Sequence, residues 1–328
     1  MKFSLIICTF KRPRALMKLL NSVKEQILYP DEILIIDGSP DDETETILKA
    51  ENFSNLKYYR VDAKNRGLTK QRNYGISKIG NYIDIICFLD DDIILTPSYF
   101  KNLIATYHKN PKAIGVGGYI IEDTEWHLKS KETKSNQFEF DGFVRDLGSR
   151  HFLRKKMRLH PNVPPGYMPD FSNGYSISFL PPSGNTYTVE SFMGGVASYR
   201  KELFKKINFS TYFKGYGLYE DMDFCLRASK LGQLYVNTAA KLYHEHDNSG
   251  RPNRYKYGKM VIKNGWYVWR VKYSDPSFNS TLKWHATAFL LTLIRFSNVL
   301  TTSRKKEALT ESLGRVAGWW GLLIKKSR

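Results

Sequence analysis

The sequence predicts an α/β fold in which helices cover both faces of a mostly parallel sheet. Residues 3–8, 33–36 and 83–89 form apolar runs, the last of which is interrupted by one aspartate. Runs of this kind are typical of strands that are buried on both faces. Residues 16–23 instead carry leucine and valine at helical spacing. Strands that alternate with helices in this way indicate a parallel sheet.

The elements follow one another in a regular order. The first strand is followed by Pro13, which suits the first turn of a helix. The second strand ends in an acid, Asp37, and a glycine-containing turn follows it. The remaining predicted elements are, in chain order, helix 44–50, strand 56–61, helix 69–78, strand 83–89, and strands at 114–121, 192–197, 234–236 and 241–243.

Two segments after the triple aspartate at residues 90–92 suggest functional roles. The segment 122–190 is long and polar and contains prolines. Such a segment inside an α/β domain is usually a functional loop rather than scaffold. We interpret it as an insertion on the substrate side. Gly194 and Gly195 lie in a predicted strand, where small residues let a backbone or a ligand approach closely.

Composition limits the classes of partner and of compartment. The chain of 328 residues has a formal charge of +18, which indicates anionic partners such as phosphates, nucleic acid or a membrane surface. Its three cysteines form no CxxC pair, so a reducing compartment is expected. The apolar N-terminus is too short for a signal peptide. No apolar run reaches the roughly 18 residues that span a bilayer, and we expect a cytoplasmic protein.

Two common nucleotide-binding signatures are missing. The sequence contains neither GxGxxG after the first strand nor GxxxxGK[ST]. Hydride transfer and P-loop chemistry therefore have no support.

Three consecutive carboxylates, Asp90, Asp91 and Asp92, end the strand at residues 83–89. In open α/β sheets, ligands collect beyond the carboxyl ends of the strands. Acids at i and i+2 can turn their oxygens toward one hard cation, Mg²⁺ or Mn²⁺, and through it toward a diphosphate. The alternative is an acidic turn that only caps the strand.

Taken together, these motifs resemble a family 2 glycosyltransferase of the Rossmann-like GT-A fold. The likeness covers roughly residues 3–246, and it rests on several motifs in the expected order. They are Thr9-x-x-Arg12-Pro13, the strand ending in Asp37, Asn65-Arg66-Gly67-Leu68, Gln71-Arg72-Asn73-Tyr74-Gly75-Ile76, the triple aspartate and Glu220-Asp221 at a helix start.

The resemblance implies a role for each matching residue. Asp221 corresponds to the catalytic base, with Glu220 as the rival, and acids in the first turn of a helix are the ordinary alternative for both. Asp90 and Asp92 correspond to the DxD motif that binds a divalent ion, Mn²⁺ or Mg²⁺. A histidine completes that metal site, His244 first and His246 as the alternative. The nucleotide-sugar-binding residues implied by the family are Thr9, Arg12, Asp37, Asn65, Arg72, Asp90 and Asp91.

The implied reaction is inverting transfer of a sugar from a UDP- or dTDP-type donor. The acceptor is a hydroxyl of a saccharide or lipid-linked saccharide, for surface polysaccharide synthesis. Two departures bear on this expectation. The loop after the second strand reads Asp37-Gly38-Ser39-Pro40 rather than Asp-Asp-Gly-Ser, and the Gln-x-x-Arg-Trp motif of processive synthases is absent. Addition of one sugar, or a few, is therefore favoured.

The predicted organisation is a catalytic domain followed by a helical appendage. Residues 1–265 form the GT-A domain, with a nucleotide half at about 1–92 and an acceptor half at about 93–265. Residues 266–328 contain five of the six tryptophans and eleven Lys or Arg against three acids. Apolar helices with basic borders are typical of segments in a membrane interface, so peripheral contact with an anionic membrane on its cytoplasmic face is expected. The alternative is that these aromatic residues are simply core.

A basic nucleic-acid-binding protein without enzymatic activity is the rival function. The high positive charge and the 14% aromatic content favour it. No RNA- or DNA-binding motif occurs, and the aromatic residues form no recognisable stacking platform. We therefore expect no nucleic acid partner.

Overall fold

The computed structural model describes residues 1–121, 124–130, 132–245 and 253–324. Their contacts divide the chain into two compact units, each built from two segments. The first unit is Met1–Asp123 with Pro182–Gly250, and the second is Thr124–Pro181 with Arg251–Arg328.

Strands and helices alternate along the first part of the chain, as the sequence predicts. The strands are β1 (Phe3–Thr9), β2 (Glu32–Asp37), β3 (Leu56–Arg60), β4 (Ile85–Asp90), β5 (Ile93–Leu95), β6 (Ala113–Ile120), β7 (His127–Leu128), β8 (Gln137–Phe140), β9 (Phe143–Asp146), β10 (Thr186–Val189), β11 (Val196–Arg200) and β12 (Gln233–His244). The helices are α1 (Pro13–Lys24), α2 (Glu43–Ala50), α3 (Leu68–Ser77), α4 (Tyr99–Lys109), α5 (Ser149–Lys156), α6 (Glu220–Ala228), α7 (Arg254–Lys272), α8 (Phe278–Thr301) and α9 (Lys305–Ile324).

The first unit is built on one mixed sheet. Among the described residues its strand order is β10-β12-β6-β11-β4-β1-β2-β3, with β5 paired to β12. The pairs of β1 with β2 and with β4 are parallel, as is that of β2 with β3. β11 runs antiparallel to both of its neighbours, β4 and β6. The α/β class with a mostly parallel sheet is thus confirmed.

The core of this unit explains the continuous apolar strands. Every residue of β2 is buried, because helices cover the sheet on both faces. In α1 the buried residues are those at helical spacing, and they include Leu16, Leu19 and Leu20. These side chains pack with the strand residues in one cluster. Pro13 is the first residue of α1, where its missing N–H costs no hydrogen bond.

The main difference from the sequence prediction lies at the end of the sheet. Residues 234–236 and 241–243 were expected to form a pair of short strands, but both belong to the single strand β12. The register of β12 against β6 shifts between Val236 and Lys241, so an irregularity interrupts the ladder there. This break explains why the sequence shows two separate apolar runs. The strand predicted at residues 192–197 begins only at Val196.

The second unit contains a small sheet and three long helices. Its sheet has the order β7-β9-β8 and is antiparallel. The predicted insertion at residues 122–190 supplies this sheet together with α5. α9 packs against α7 and α8, and Gly258 of α7 lies so close to α9 that a Cβ there would be 2.1 Å from the carbonyl oxygen of Glu311. A C-terminal helical region is therefore present. In the part of the chain that the structure describes, no helix is both long and apolar enough to cross a bilayer.

Replacing a buried leucine of α1 tests the core of the first unit. Leu20 is fully buried, so Leu20→Ala removes apolar contacts and leaves a cavity. We expect the free energy of unfolding, measured in denaturant, to fall by about 2–5 kcal/mol. The matched control is Ile27→Ala, because Ile27 is 65% exposed and should change this value by less than about 0.5 kcal/mol. Equal losses in the two variants would contradict the packing described here.

Candidate functional site

Three of the predicted site residues lie at the carboxyl edge of the sheet. In the parallel register, Thr9 lies opposite Asp37, and Cys8 lies opposite Asp90. Neighbouring parallel strands end at the same edge, so acids that are far apart in sequence come together there. This edge is where ligands bind in open α/β sheets.

A buried arginine connects this edge to α6. Arg72 of α3 donates from Nη1 to Oε1 of Glu220 at 2.5 Å, and its Nη2 lies 3.4 Å from Oδ1 of Asp90. The rings of Phe88 and Phe209 lie within 6 Å of the guanidinium. The arginine side chain is only 3% exposed, while that of Asp90 is 41% exposed. The cation is therefore held between aromatic rings, and Asp90 is the part of this cluster that faces solvent.

The charges of this cluster depend on one another. Burial alone would lower the pKa of Arg72, but Glu220 and Asp90 raise it above its ordinary value. Burial raises the pKa of Glu220 to about 8, with the Arg72 charge opposing this shift and Asp221 adding to it. The second carboxylate oxygen of Glu220, Oε2, is buried and has no hydrogen-bond partner among the described residues. Arg72 and Glu220 are therefore a close buried pair, in which Arg72 stays charged and Glu220 binds a proton more readily than a free glutamate does.

Asp221 lies next to this pair in the first turn of α6. Its Oδ2 accepts from the backbone N–H of Gly194 at 3.2 Å, and its Oδ1 accepts from that of Met222 at 2.7 Å. Burial raises its pKa, while these two N–H groups oppose the shift. Asp221 and Glu220 are thus neighbours with different partners, one bound by backbone N–H groups and the other by a cation.

Gly194 and Gly195 pass directly over these carboxylates, as the sequence led us to expect of small residues. A Cβ on Gly195 would lie 2.1 Å from Oδ2 of Asp90. A Cβ on Gly194 would lie 2.7 Å from Nη1 of Arg72 and 2.8 Å from Oε1 of Glu220. Any larger residue at either position would displace the charged groups.

Asp91 turns away from Asp90 and into the protein. It accepts from Oγ1 of Thr9 at 2.7 Å and from Nη1 of Arg12 at 2.9 Å. Burial raises its pKa to about 6, against the hydrogen bond from Thr9 and the charge of Arg12. Thr9, Arg12 and Asp91 were predicted to bind the nucleotide, and here they bind one another. Asp91 thereby anchors the loop that follows β1.

Asp92 and His244 meet on the far side of the triple aspartate. Nε2 of His244 lies 3.0 Å from Oδ1 of Asp92, and Nη1 of Arg12 lies 3.4 Å from its Oδ2. The contact arises because β12 ends beside β5, with His244 paired to Ile93. His246, the alternative metal ligand, lies outside the described residues.

The donor set suits a hard divalent cation. Carboxylate oxygens with one imidazole nitrogen fit Mg²⁺ or Mn²⁺, and the nitrogen favours Mn²⁺ slightly. The side chain of Asp90 is 41% exposed, and its carboxylate occupies the position where a Cβ on Gly195 would lie. Within the described residues, no three His, Cys, Asp or Glu side chains are grouped closely enough to form a ready metal centre. The chemistry of Asp90, Asp92 and His244 fits such an ion.

Two predicted residues, Asp37 and Asn65, have partners outside the Arg72 cluster. Asp37 is fully buried and accepts from the backbone N–H of Ser39 at 2.7 Å and from the hydroxyl of Tyr58 at 2.9 Å. Asn65 lies in the turn before α3, where its backbone N–H and its side-chain amide both donate to Asp62.

Sequence reasoning missed three residues that shape this edge. Tyr58 holds Asp37, and Arg66 donates from Nε to the carbonyl oxygen of Gly38 at 2.7 Å. Gln71 donates from Nε2 to the carbonyl oxygens of both Thr9 and Ile36. For Arg66 and Gln71 the only signal was their place in the motifs around residues 65–76. Tyr58 carried no signal beyond its strand.

Comparison with known proteins places this site in a family. The family described as "Glycosyl transferase family 2" matches residues 4–207. A second description, "N-terminal domain of galactosyltransferase", matches residues 176–245, which include α6 and all of β12. Together the two matches cover residues 4–245, which include every described residue of the site.

Curated relatives share these regions at moderate identity. A glucosyl-dolichyl phosphate glucuronosyltransferase of Haloferax volcanii is 27% identical over 142 residues, which are 42% of this chain and 44% of the relative. The O-antigen chain rhamnosyltransferase RfbN of Salmonella typhimurium is 33% identical over 36% of this chain and 37% of its own. A GalNAc(5)-diNAcBac-PP-undecaprenol beta-1,3-glucosyltransferase of Campylobacter jejuni is 24% identical over 70% of this chain and 69% of its own. The chain thus matches less than half the length of the first two relatives.

Solved structures show the same fold. The mannosyltransferase PcManGT of Pyrobaculum calidifontis, in complex with GDP-Man and Mn²⁺, aligns with a TM-score of 0.55 at 12% identity, over 98% of this chain and 87% of that one. GalNAc-T7 with UDP, GalNAc and Mn²⁺ aligns with a TM-score of 0.52 at 15% identity, over 80% and 48%. The GT-A fold expected from the motifs is therefore confirmed.

The ion pair of Arg72 and Glu220 predicts an asymmetric double-mutant cycle. In Glu220→Met the buried guanidinium loses its closest partner and cannot lose its proton, so we expect a loss of about 3–5 kcal/mol in the free energy of unfolding. Arg72→Met should cost less, because Glu220 can be neutralised by a proton. The double variant should cost less than the sum.

The exposed pair of Glu45 and Lys49 is the matched control for this cycle. Glu45→Met should change the free energy of unfolding by at most about 1 kcal/mol, since solvent screens that pair. Additive losses in the Arg72–Glu220 cycle, or a larger loss in Arg72→Met than in Glu220→Met, would contradict the described electrostatics.

Proposed function

The chain belongs to glycosyl transferase family 2, and from this premise we propose that it is an inverting enzyme that moves one sugar from a nucleotide-sugar donor to an acceptor hydroxyl. The observation that carries the proposal is the cluster of Asp221, Glu220, Arg72 and Asp90 at the carboxyl edge of the sheet. It brings a base candidate, a fixed cation and a half-exposed carboxylate together in one place. Sugar transfer from a diphosphate needs each of these groups.

The donor is assigned to the edge formed by β1, β2 and β4. Asp37 is held by Tyr58 and Ser39, so its carboxylate is fixed at this edge, where it could accept a hydrogen bond from a ribose hydroxyl or a base N–H. The positive charge of Arg72 is fixed among aromatic rings, and a developing diphosphate charge nearby is stabilised without reorganisation. A UDP- or dTDP-type nucleotide sugar is proposed, as the family resemblance implies.

Asp221 is proposed as the general base rather than Glu220. One oxygen of Glu220 is bound to Arg72, and the other is buried without a hydrogen-bond partner among the described residues. Asp221 is bound only through weaker backbone N–H groups and can accept the proton of an attacking hydroxyl. Glu220 is then a positioning residue, which holds Arg72 in place. Attack opposite the leaving group inverts the anomeric centre.

Asp90, Asp92 and His244 are proposed to hold a divalent ion, Mn²⁺ or Mg²⁺. A bound ion supplies positive charge that stabilises the departing diphosphate. Arg12 contacts both Asp91 and Asp92 and thereby orients the acidic loop. The names of both solved structures with this fold include Mn²⁺, which supports a divalent ion here.

The acceptor is proposed to be a saccharide or lipid-linked saccharide, in the synthesis of a surface polysaccharide. The relatives named above include a dolichyl phosphate enzyme, an O-antigen enzyme and an undecaprenol-linked one, and this supports the proposal. Such an acceptor requires the enzyme to work at a membrane, and we propose peripheral contact on the cytoplasmic side. Transfer of one sugar, or a few, follows from the missing processive motif.

The role of Asp221 predicts a defined pH profile. A base must be deprotonated to act, so kcat/KM for transfer should fall as the pH drops below the pKa of Asp221. Since burial raises that pKa, this fall should occur above the ordinary value of 3.8. Asp221→Asn should lower kcat by about 10²–10⁴-fold across the pH range. A panel of sugar nucleotides identifies the donor first, and release of the nucleoside diphosphate is then measured.

The control for this experiment is Asp84→Asn, because Asp84 precedes β4 at the opposite end of the strand and contacts Lys2. It should keep the wild-type profile. Retention of more than a tenth of the wild-type kcat in Asp221→Asn would eliminate Asp221 as the base.

If a divalent ion takes part, sugar transfer should depend on that ion. Treatment with a chelator should abolish transfer, and added Mn²⁺ or Mg²⁺ should restore it. Asp92→Ala removes a carboxylate that contacts His244, so titration calorimetry should show weaker Mn²⁺ binding, by about ten-fold or more. Asp84→Asn should bind Mn²⁺ as the wild type does. Full transfer by Asp92→Ala, or by the chelated wild type, would refute the metal assignment.

A further inference from the structure

The helix α8 carries an unbroken apolar stripe on its exposed side. Six large apolar residues recur at intervals of three, four or seven positions, which place them on one face of a helix. Each side chain is between 49% and 84% exposed, and the first and the last are the most exposed. They are Phe278, Leu282, Phe289, Leu293, Phe296 and Leu300. Over its 24 residues the helix is about 36 Å long, so the stripe extends along that length.

The helix α9 repeats the pattern. Past its first turn, the exposed residues among its described side chains are all apolar. They are Leu309, Leu313, Val316, Trp320 and Ile324. The two helices pack against each other, and the rings of Phe289 and Trp319 lie 6.0 Å apart. We call the exposed apolar residues of α8 and α9 together the apolar face.

The opposite sides of these helices already have partners. Trp284 of α8 is buried against Trp266 and Trp269 of α7. Trp319 of α9 donates from Nε1 to Nδ1 of His285 at 2.8 Å. One side of each helix thus packs into the core of this unit, and the apolar face is not part of that core. An exposed apolar surface of this extent marks an interaction site.

The charges around the apolar face are positive. No charged side chain is among the exposed residues of α8, all of which the structure describes. Arg304, Lys305 and Lys306 are exposed where α8 leads into α9. The two acids of α9 have basic partners: Glu307 pairs with Arg254, and Glu311 with two arginines. The face therefore offers exposed cations, and both acids of α9 are already paired with arginines.

We propose that the apolar face of α8 and α9 lies in the interface of an anionic phospholipid bilayer, with residues 304–306 against its headgroups. An apolar helix face with basic borders inserts into the boundary between headgroups and acyl chains, and each basic residue adds attraction to anionic lipids. A second copy of this chain docked through the same face would bring the same cations, and the two acids of its α9 are already paired with arginines. Anionic headgroups are complementary in charge.

This inference deepens the proposed function, because a lipid-linked acceptor is reached from the same membrane surface. It assigns the membrane contact to α8 and α9, which would lie along the bilayer surface rather than cross it. Neither helix is suited to cross a bilayer. Membrane binding and sugar transfer can be measured separately, so the two proposals can fail independently.

Flotation with lipid vesicles tests the proposal. The full chain is mixed with vesicles of phosphatidylcholine, with or without phosphatidylglycerol, and centrifuged through a density gradient. The wild type should float with the anionic vesicles. Phe289→Glu/Leu313→Glu places one acid on each helix, and should reduce the bound fraction by about ten-fold or more. Lys305→Glu/Lys306→Glu should remove the preference for phosphatidylglycerol.

Two controls separate this effect from misfolding and from catalysis. Leu128→Glu introduces the same change at a leucine of β7 that is 72% exposed, and it should float as the wild type does. Asp221→Asn should float normally although it lacks transfer. Hydrolysis of the donor without vesicles should be unchanged in Phe289→Glu/Leu313→Glu, and its helix content by far-UV circular dichroism should equal that of the wild type.

Tryptophan fluorescence of the wild-type protein gives a second test. Trp320 is 62% exposed on the apolar face, so brominated phospholipids should quench its fluorescence. The quenching should be smaller in Trp320→Phe. The proposal is overturned if the wild type fails to float, or if Phe289→Glu/Leu313→Glu floats equally well. It is also overturned if the wild type ignores vesicles and sediments as a dimer that this double variant abolishes.

Discussion

The arrangement of the site depends on one buried cation. Arg72 cannot lose its proton, so burying it between two aromatic rings requires carboxylates within reach. Glu220 and Asp90 meet that requirement from α6 and from the end of β4. The start of α6 is thereby held against the edge of the sheet, although more than a hundred residues separate the two in sequence. The glycines at 194 and 195 follow from the same constraint, since a Cβ on either would collide with this cluster.

The gross position of the site could be predicted from the sequence, but its internal contacts could not. Parallel strands that end in Asp37 and Asp90 must bring these acids to one edge, because neighbouring strands share their direction. The contact of Asp91 with Thr9 could not be predicted in this way. It depends on how one side chain is oriented after the strand ends, and the pattern of apolar residues carries no information about that. The same holds for Gln71, whose two hydrogen bonds to backbone carbonyls tie β1 and β2 to α3.

The C-terminal helices show a related limit. The sequence drew attention to tryptophans, yet Trp269 and Trp284 are buried between helices, as the alternative of a simple aromatic core expects. Trp320 is exposed, and otherwise the apolar face consists of leucine, phenylalanine, valine and isoleucine. A helix that is apolar on both sides gives no sign in its sequence of which side packs inward. That assignment requires the contacts of α7 with α9, where two glycines let the backbones approach closely.

The contrast between Glu220 and Asp221 follows from their partners, because their positions in the chain are adjacent. Arg72 contacts Glu220 and Asp90, and Asp221 lies beside them. Burial raises the pKa of Glu220 to about 8, and the charge of Arg72 opposes that shift. The backbone N–H groups of Gly194 and Met222 favour the ionised form of Asp221. The two adjacent acids therefore differ in what they contact, since Glu220 pairs with the cation of Arg72 and Asp221 accepts from backbone N–H groups. The proposed division of roles in the first turn of α6, with Glu220 positioning Arg72 and Asp221 acting as the base, follows from this difference in partners.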